Sequence, residues 1–130
     1  MNTQKKIASI TGHGIDIVAL SRFYSMPIAR SARLAKYILT DNELNIYVKL
    51  NNLEQPLYLA KIWASKEAIL KAFGTGICGR TVWKNICISN NKLGKPEVWL
   101  KTSAMNCLLS ISYETDYLIA SAILTTSHTI

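Results

Sequence analysis

The sequence predicts an α+β fold in which an antiparallel sheet packs against helices, with one long central helix. A strand-like apolar run near the amino terminus is followed by helical patterns and then by short alternating runs separated by turn residues. A strand, then helices, then strands joined by hairpins is typical of this class. With 130 residues, the chain has the length of one domain that buries its own core.

The first strand is predicted at Gly14–Leu20, "GIDIVAL", where apolar and β-branched residues indicate a strand buried on both faces. Asp16 lies inside this run. The next segment, Ser21–Tyr37, contains turn residues followed by a basic helical stretch. Basic side chains recur there every three residues, which predicts a positive stripe made of Arg30, Arg33 and Lys36.

Two further helices follow. Thr40 and Glu43 have the spacing of a capping box, which predicts a helix beginning at that point. Pro56 suits the first turn of a longer helix that runs to about Phe73. Beyond Gly79, the segments "WKNICIS", "EVWL", "LLSIS" and "DYLIASAIL" read as strands.

The long helix places a carboxylate, Glu67, on its apolar stripe, with Ala60, Trp63 and Leu70 at spacings of three and four. A carboxylate on an inward face needs a partner. The simplest one is an i,i+4 ion pair with Lys71, worth about 0.3 to 0.5 kcal/mol when exposed. The helix alone does not decide between that pair and a functional role.

Asp16 raises the same question, because an aspartate inside an apolar strand must be hydrogen-bonded, ion-paired or bound to metal. A structural aspartate that accepts bonds from backbone amides is one interpretation. The other is that Asp16 and Glu67 together hold a divalent cation such as Mg²⁺, which typically takes one or two protein carboxylates.

The long helix ends in the glycine-rich segment "KAFGTGICGR". A glycine after a helix is usually its C-cap, and this is our prediction for Gly74. Gly74, Gly76 and Gly79 allow close backbone approach, so this loop could also follow a phosphate. Gly74, Thr75 and Gly76 are the residues of the loop that we expect to contact a cofactor.

Net charge and cysteine content indicate which binding partners and which cellular compartment to expect. The formal net charge of +7 should attract polyanions, whether nucleic acid, membrane phosphates, phosphorylated small molecules or an acidic protein. The three cysteines lack metal-site spacing and suit free thiols in a reducing cytosol. We find no export signal and no apolar stretch long enough to span a bilayer, so we expect a soluble cytoplasmic protein.

The motifs "GHGIDIVALSRF", "LTDNEL", "WASKEAILKAFGTGI", "GKPEVWL" and "SISYETDYLIASAIL" resemble, in order and spacing, those of the holo-acyl-carrier-protein synthases. These are the small bacterial 4′-phosphopantetheinyl transferases. The resemblance covers nearly the whole chain and implies one transferase domain, residues 1–130. It also implies Mg²⁺-dependent transfer of phosphopantetheine from coenzyme A to a serine of apo-acyl carrier protein, in support of fatty acid biosynthesis.

Site residues follow from the resemblance position by position. Asp16 and Glu67 match the metal-binding carboxylates, and Lys71 matches a lysine that contacts coenzyme A phosphates. The basic region that docks an acidic carrier protein falls on Arg22, Arg30, Arg33 and Lys36. A metal and a lysine would neutralise the diphosphate under attack. Either a metal-bound water or Glu67 could accept the serine proton.

The chain departs from the family at two positions. Many members carry histidine where this chain has Tyr113, so the phosphate contact of that histidine does not carry over, although Tyr113 could still donate a hydrogen bond to the cofactor. An interfacial strand tyrosine is the alternative. Ile15 stands where threonine is common. The resemblance also implies a homotrimer with active sites at subunit boundaries.

Two other functions remain open at this stage. A basic nucleic-acid-binding module would use the stripe on α-helical residues 30–36 but would leave Asp16 and Glu67 unexplained. An inactive homologue that only binds carrier protein is suggested by Tyr113. We favour the transferase, with no nucleic-acid or membrane partner.

Overall fold

The computed structural model describes the backbone of residues 6–74 and 80–129 and the side chains of residues 9–74 and 83–126. Five helices and six strands occur in these ranges. In chain order they are β1 Lys6–Ala19, α1 Leu20–Tyr24, α2 Ile28–Ile38, α3 Asp41–Lys49, α4 Glu54–Phe73, α5 Arg80–Asn85, β2 Ile86–Asn90, β3 Pro96–Leu100, β4 Ser103–Ala104, β5 Cys107–Tyr113 and β6 Tyr117–Thr129.

The strands form two antiparallel sheets of three strands each, ordered β1-β6-β5 and β2-β3-β4. The long helix α4 packs on the first sheet, mainly against β1 and β6, and the shorter helices surround it. The predicted α+β class with a long central helix is therefore confirmed. The strands are divided between two sheets.

Local signals at the helix ends are also confirmed. The Thr40 amide donates to Glu43 Oε1 at 2.9 Å, and the Glu43 amide donates to Thr40 Oγ1 at 3.2 Å, which completes the capping box of α3. Pro56 lies in the first turn of α4. Gly74 ends that helix with φ of 68°, a left-handed conformation that glycine adopts without strain.

The prediction of a strand over all of "WKNICIS" is wrong at its start. Trp83 and the two residues after it belong to α5, and the strand begins at Ile86. Trp83 is 8% exposed and stacks on Trp63 with ring centroids 5.1 Å apart. The composition of this segment favours a strand, yet Trp83 is helical and its ring packs against α4. Tertiary packing can outweigh such a local preference.

The prediction that the first strand is buried on both faces is also wrong for the single chain. Val18 is 5% exposed, whereas Ile15 is 54% and Ile17 is 59% exposed. The reason is that β1 belongs to an antiparallel sheet with one face on α4, and successive side chains of a strand point to opposite faces.

Two glycines of β1 let the backbones of strand and helix touch. A Cβ placed on Gly14 would lie 2.0 Å from the Ala68 carbonyl oxygen and 2.6 Å from the Ala72 amide nitrogen. A Cβ on Gly12 would lie 2.0 Å from the Ala72 carbonyl oxygen. Any side chain at these positions would push α4 away from the sheet.

A buried ion pair ties the other side of α4 to the helices. The Lys66 ammonium donates to Glu43 Oε1 at 2.6 Å, to the Ile38 carbonyl at 2.6 Å and to the Trp83 carbonyl at 2.8 Å. Glu43 Oε2 accepts the Ile88 amide at 2.7 Å. Both charged side chains are 0% exposed. We call this set the closed network.

Across the described ranges, no helix is long and apolar enough to cross a membrane.

Candidate active site

Asp16 lies on the inner face of β1, two residues after Gly14, with its side chain 14% exposed. The Lys71 ammonium donates to Asp16 Oδ1 at 2.9 Å and to the Ile15 carbonyl at 3.0 Å. Within the described part of the chain, no backbone amide bonds to the Asp16 carboxylate. The partner of this aspartate is therefore a lysine 55 residues away in sequence.

Glu67 lies on α4, one turn before Lys71, and is half-buried. The i,i+4 ion pair between them does not form, because the Lys71 ammonium is engaged by Asp16. Glu67 makes no hydrogen bond or ion pair with any other residue whose side chain the structure describes. This carboxylate is held in place by its helix but has no direct partner among those described side chains.

Burial raises the pKa of the Glu67 carboxyl above its ordinary value, and the negative charge of Asp16 raises it further. Lys71 and Arg22 act in the opposite direction. Lys71 bonds to Asp16 and lies one helical turn after Glu67, so both carboxylates lie on the same side of α4. The residues that the sequence predicted to meet, Asp16, Glu67 and Lys71, lie together between β1 and α4.

This arrangement fits a hard divalent cation. Two carboxylates that repel each other, one of them unpaired within the part of the chain that the structure describes, would both be stabilised by a shared cation. Over the residues described, no group of three or more His, Cys, Asp or Glu side chains could hold a metal. A site with only two carboxylates suits Mg²⁺, which fills its remaining positions with water and substrate phosphate.

Arg22 acts on Glu67, whose pKa its charge lowers, and lies on a different helix from the basic stripe. Its guanidinium carbon is 5.3 Å from the centroid of the Trp63 ring and 5.8 Å from that of Phe23. It lies on α1, whereas the stripe lies on α2. The stripe residues are all exposed: Arg30, Arg33 and Lys36.

Tyr113 ends β5 and is 49% exposed. The Lys61 ammonium lies 5.0 Å from the centroid of its ring. Both residues line a groove with a volume of about 570 Å³. Tyr113 therefore faces an open site on this chain.

The remaining predicted cofactor residues are Gly74, Thr75 and Gly76. Among the described residues, no atom lies within 4 Å of the place that a Cβ would take on Gly74. Thr75 and Gly76 lie outside the described residues, as do Cys78 and Gly79. Cys87 and Cys107 are free thiols, as predicted.

Sequence reasoning missed Lys66 and Lys61. Lys66 follows Ile62 by four residues and precedes Ile69 by three, and both isoleucines are buried. That spacing puts Lys66 on a second apolar face of α4, a pattern that could have indicated a buried lysine. No comparable pattern marks Lys61.

Comparison with known proteins identifies the family. The model of the 4′-phosphopantetheinyl transferase superfamily (ACPS) matches residues 12–122. The holo-[acyl-carrier-protein] synthase of Streptococcus thermophilus is 41% identical over 88% of this chain and 95% of its own length. That of Oceanobacillus iheyensis is 40% identical over 90% of this chain and 98% of its own.

Solved structures agree with the sequence comparison. The holo-(acyl-carrier-protein) synthase of Bacillus anthracis in complex with CoA (3′,5′-ADP) aligns with a TM-score of 0.77 and 32% identity, covering 90% of this chain and 97% of its own. The synthase of Neisseria meningitidis aligns with a TM-score of 0.76 and 35% identity, over 88% and 98% of the two chains. With the motifs, the fold and these relatives in agreement, the chain belongs to the holo-acyl-carrier-protein synthase family of 4′-phosphopantetheinyl transferases.

Proposed function

We propose that this protein transfers 4′-phosphopantetheine from coenzyme A to a serine of apo-acyl carrier protein and releases adenosine 3′,5′-bisphosphate. The observation that carries the proposal is the Glu67 carboxylate, which lies beside the Asp16–Lys71 pair and has no hydrogen-bond or ion-pair partner among residues 9–74 and 83–126. An acidic pair with an adjacent lysine is what a cation-dependent reaction at a diphosphate requires. Family membership supports the same reaction.

In this proposal Asp16 and Glu67 hold Mg²⁺ through their carboxylate oxygens. When bound, the ion neutralises negative charge on the diphosphate under attack. Lys71 contacts the same group: its side chain is 53% exposed, so its ammonium can meet a ligand phosphate without leaving the neighbourhood of Asp16. Gly74, Thr75 and Gly76 follow the nucleotide, and Tyr113 contributes a hydroxyl.

The basic stripe on α2, with Arg22 on α1, is the surface we assign to the acidic carrier protein. No carboxylate within the described ranges pairs with Arg30, Arg33 or Lys36, so their charges remain available to a partner. Long-range attraction between such a stripe and an acidic protein raises the association rate more than it lowers the dissociation rate.

We further propose a homotrimer that functions in the cytoplasm, in fatty acid biosynthesis, with residues 1–130 as one domain. The outward face of the β1-β6-β5 sheet supports an assembly. It exposes the large apolar side chains of Ile15, Ile17 and Ile119, with that of Leu108 farther along the same face. A second copy of the chain would remove this face from water. Light scattering coupled to gel filtration should give the mass of three chains.

The decisive experiment is a mass measurement on carrier protein. Incubation with coenzyme A, Mg²⁺ and apo-acyl carrier protein should add one phosphopantetheine to the carrier serine. Chelation of the metal or Glu67→Ala should abolish the addition. Glu97→Ala, at an exposed glutamate on β3, is the matched control and should leave the rate unchanged.

Two results would contradict the proposal. An unchanged carrier mass in the presence of measurable docking would identify an inactive carrier-binding homologue. A reaction that proceeds equally well after chelation would exclude the metal-dependent mechanism.

The docking surface has its own test. Arg30→Glu combined with Arg33→Glu should slow association with carrier protein about tenfold or more at low salt, with coenzyme A affinity nearly intact. Lys49→Glu combined with Lys92→Glu changes the net charge equally at exposed sites elsewhere and serves as the control. Surface plasmon resonance gives both rate constants. Equal loss of carrier and coenzyme A binding would mean that the stripe reads the nucleotide or supports the fold.

A further inference from the structure

The Lys71 ammonium occupies the place beside Asp16 that a metal ion would take. It donates to Asp16 Oδ1 at 2.9 Å and to the Ile15 carbonyl oxygen at 3.0 Å. Carboxylate and carbonyl oxygens are also the ligands that a hard divalent cation takes from a protein. The lysine therefore makes, with a single positive charge, contacts that a metal ion at this carboxylate would need.

Asp16 holds this lysine less firmly than the closed network holds Lys66. Both lysines lie on α4 and pair with a carboxylate, but Lys66 is 0% exposed and has three oxygen acceptors. The Lys71 side chain is 53% exposed and has two acceptors among the described residues. An ion pair in contact with water contributes little net stability, because water solvates the charges when they separate. Lys71 can therefore leave Asp16 at small cost.

Glu67 gives the site a negative charge that Lys71 does not pair with. The lysine bonds to Asp16, and the charge of Asp16 contributes to the raised pKa of the Glu67 carboxyl. A divalent cation carries twice the charge of an ammonium and can contact both carboxylates at once. An exchange of Lys71 for such an ion therefore satisfies Glu67 as well as Asp16.

The exchange has an electrostatic cost of its own. A lysine displaced from Asp16 stays on the same turn of α4, close to the incoming cation, and like charges repel. An anion that pairs with the displaced ammonium removes this cost. The diphosphate of coenzyme A is such an anion, and the exposed Lys71 side chain can reach a ligand from the solvent side.

We propose that the Lys71 ammonium competes with the divalent cation for Asp16 and exchanges Asp16 for the diphosphate when coenzyme A binds. The proposal rests on the proposed transferase function and concerns how its two ligands are coupled. Without coenzyme A, Lys71 keeps the metal affinity of the site low. With coenzyme A, the lysine has a second anion to pair with, so each ligand strengthens the binding of the other.

The first test measures the affinity of the protein for Mn²⁺, a spectroscopic substitute for Mg²⁺, without coenzyme A. Electron paramagnetic resonance gives the free Mn²⁺ concentration during each titration. Lys71→Met should bind Mn²⁺ about tenfold or more tightly than wild type, because the competing charge is gone. Lys71→Arg keeps a cation at Asp16 and should stay within about threefold of wild type. Asp16→Asn combined with Lys71→Met should lose the gain.

Arg22→Leu is the matched control. The Arg22 charge also acts on Glu67, but among the described residues it forms no ion pair with Asp16. Its removal should tighten Mn²⁺ binding by less than about threefold, since charge acting through solvent is screened. An equal gain in Arg22→Leu and Lys71→Met would reduce the effect to general charge and overturn the competition. Wild-type Mn²⁺ affinity of Lys71→Met would overturn it as well. Circular dichroism confirms that each variant is folded.

The second test measures the coupling between the two ligands. Coenzyme A should tighten Mn²⁺ binding to wild type by a factor about threefold larger, or more, than for Lys71→Met, because only wild type has the lysine to transfer. Any direct attraction between ion and diphosphate is common to both proteins and cancels in this comparison. Equal factors would overturn the exchange.

The outcome for the transferase function is read separately, from the mass of the carrier protein. Wild-type protein that modifies the carrier only with Mg²⁺ present retains the proposed function even if Lys71 does not compete for Asp16. A failure to bind Mn²⁺ in every variant, with and without coenzyme A, would overturn the competition.

Discussion

Two consecutive residues of α4, Lys66 and Glu67, have opposite environments. The Lys66 ammonium donates three hydrogen bonds to oxygen acceptors in the closed network and is 0% exposed. Glu67 is half-buried with no direct partner among the described side chains. The three hydrogen bonds of the Lys66 ammonium leave it no N–H group for a ligand, whereas the Glu67 carboxylate can still bind one. The contrast separates charge that organises the fold from charge that is available for binding.

The pKa values follow the same division. Burial lowers the pKa of Lys66, with the charge of Glu43 acting against that effect. Burial and the charge of Asp16 both raise the pKa of Glu67. At Lys66 the partner compensates for lost water, and at Glu67 the nearest acidic group adds to the cost. Removal of each charge should therefore change stability in opposite directions.

The largest expected effect comes from breaking the closed network. Lys66→Ala leaves the Glu43 carboxylate buried with no counter-charge and should lower the free energy of unfolding by about 3 to 5 kcal/mol. Urea denaturation measures it, with Lys49→Ala as the exposed control. A loss below about 1 kcal/mol would show that water enters and replaces the lysine. Lys66→Met combined with Glu43→Leu should recover much of the loss, because no charge is then left unpaired.

An intermediate effect is expected where strand and helix touch. Gly14→Ala should cost about 1 to 3 kcal/mol of stability, because the new methyl collides with the backbone of α4. It should also reduce transferase activity at temperatures where the variant is folded, since Asp16 and Glu67 lie on either side of that contact. Gly94→Asn, in open space with φ of 82°, is a control that should cost less than about 1 kcal/mol. Full activity of Gly14→Ala would mean that the acidic pair tolerates displacement of the helix.

The smallest effect has the opposite sign. Glu67→Gln removes the repulsion from Asp16 while keeping the shape of the side chain, so stability should stay the same or rise by up to about 1 kcal/mol. Transferase activity should be lost. Glu43→Gln, which is isosteric in the same way, should be strongly destabilised. Equal destabilisation of the two variants in urea would remove the distinction between the two sites.

Sequence patterns predicted the features that depend on local chemistry. The capping box, the first turn of α4 and its glycine C-cap each involve residues a few positions apart, and all three are confirmed. The acidic residues were singled out because carboxylates in apolar patterns need partners. Their assigned roles remain predictions.

Features that depend on distant contacts were not predicted. Glu43 looked complete as a capping residue, yet its carboxylate also meets a lysine 23 residues away and the amide of Ile88. The helical start of "WKNICIS" accompanies packing of Trp83 on α4, which composition does not encode. Lys61 lies on α4 and Tyr113 on β5, so only the folded structure shows that the two side chains are in contact.

Gly12 and Gly14 influence the distance between the two carboxylates of the acidic pair. Asp16 follows Gly14 by two residues, and Glu67 directly precedes Ala68. Each acidic residue therefore lies next to the point where the backbones of β1 and α4 touch. The distance between the two carboxylates consequently depends on how closely the two backbones approach, which the lack of a Cβ on these glycines permits, more than on side-chain torsions. A substitution that tilts α4 anywhere along its length would change that distance. Residues remote from Asp16 and Glu67 can therefore alter the acidic pair without contacting either residue.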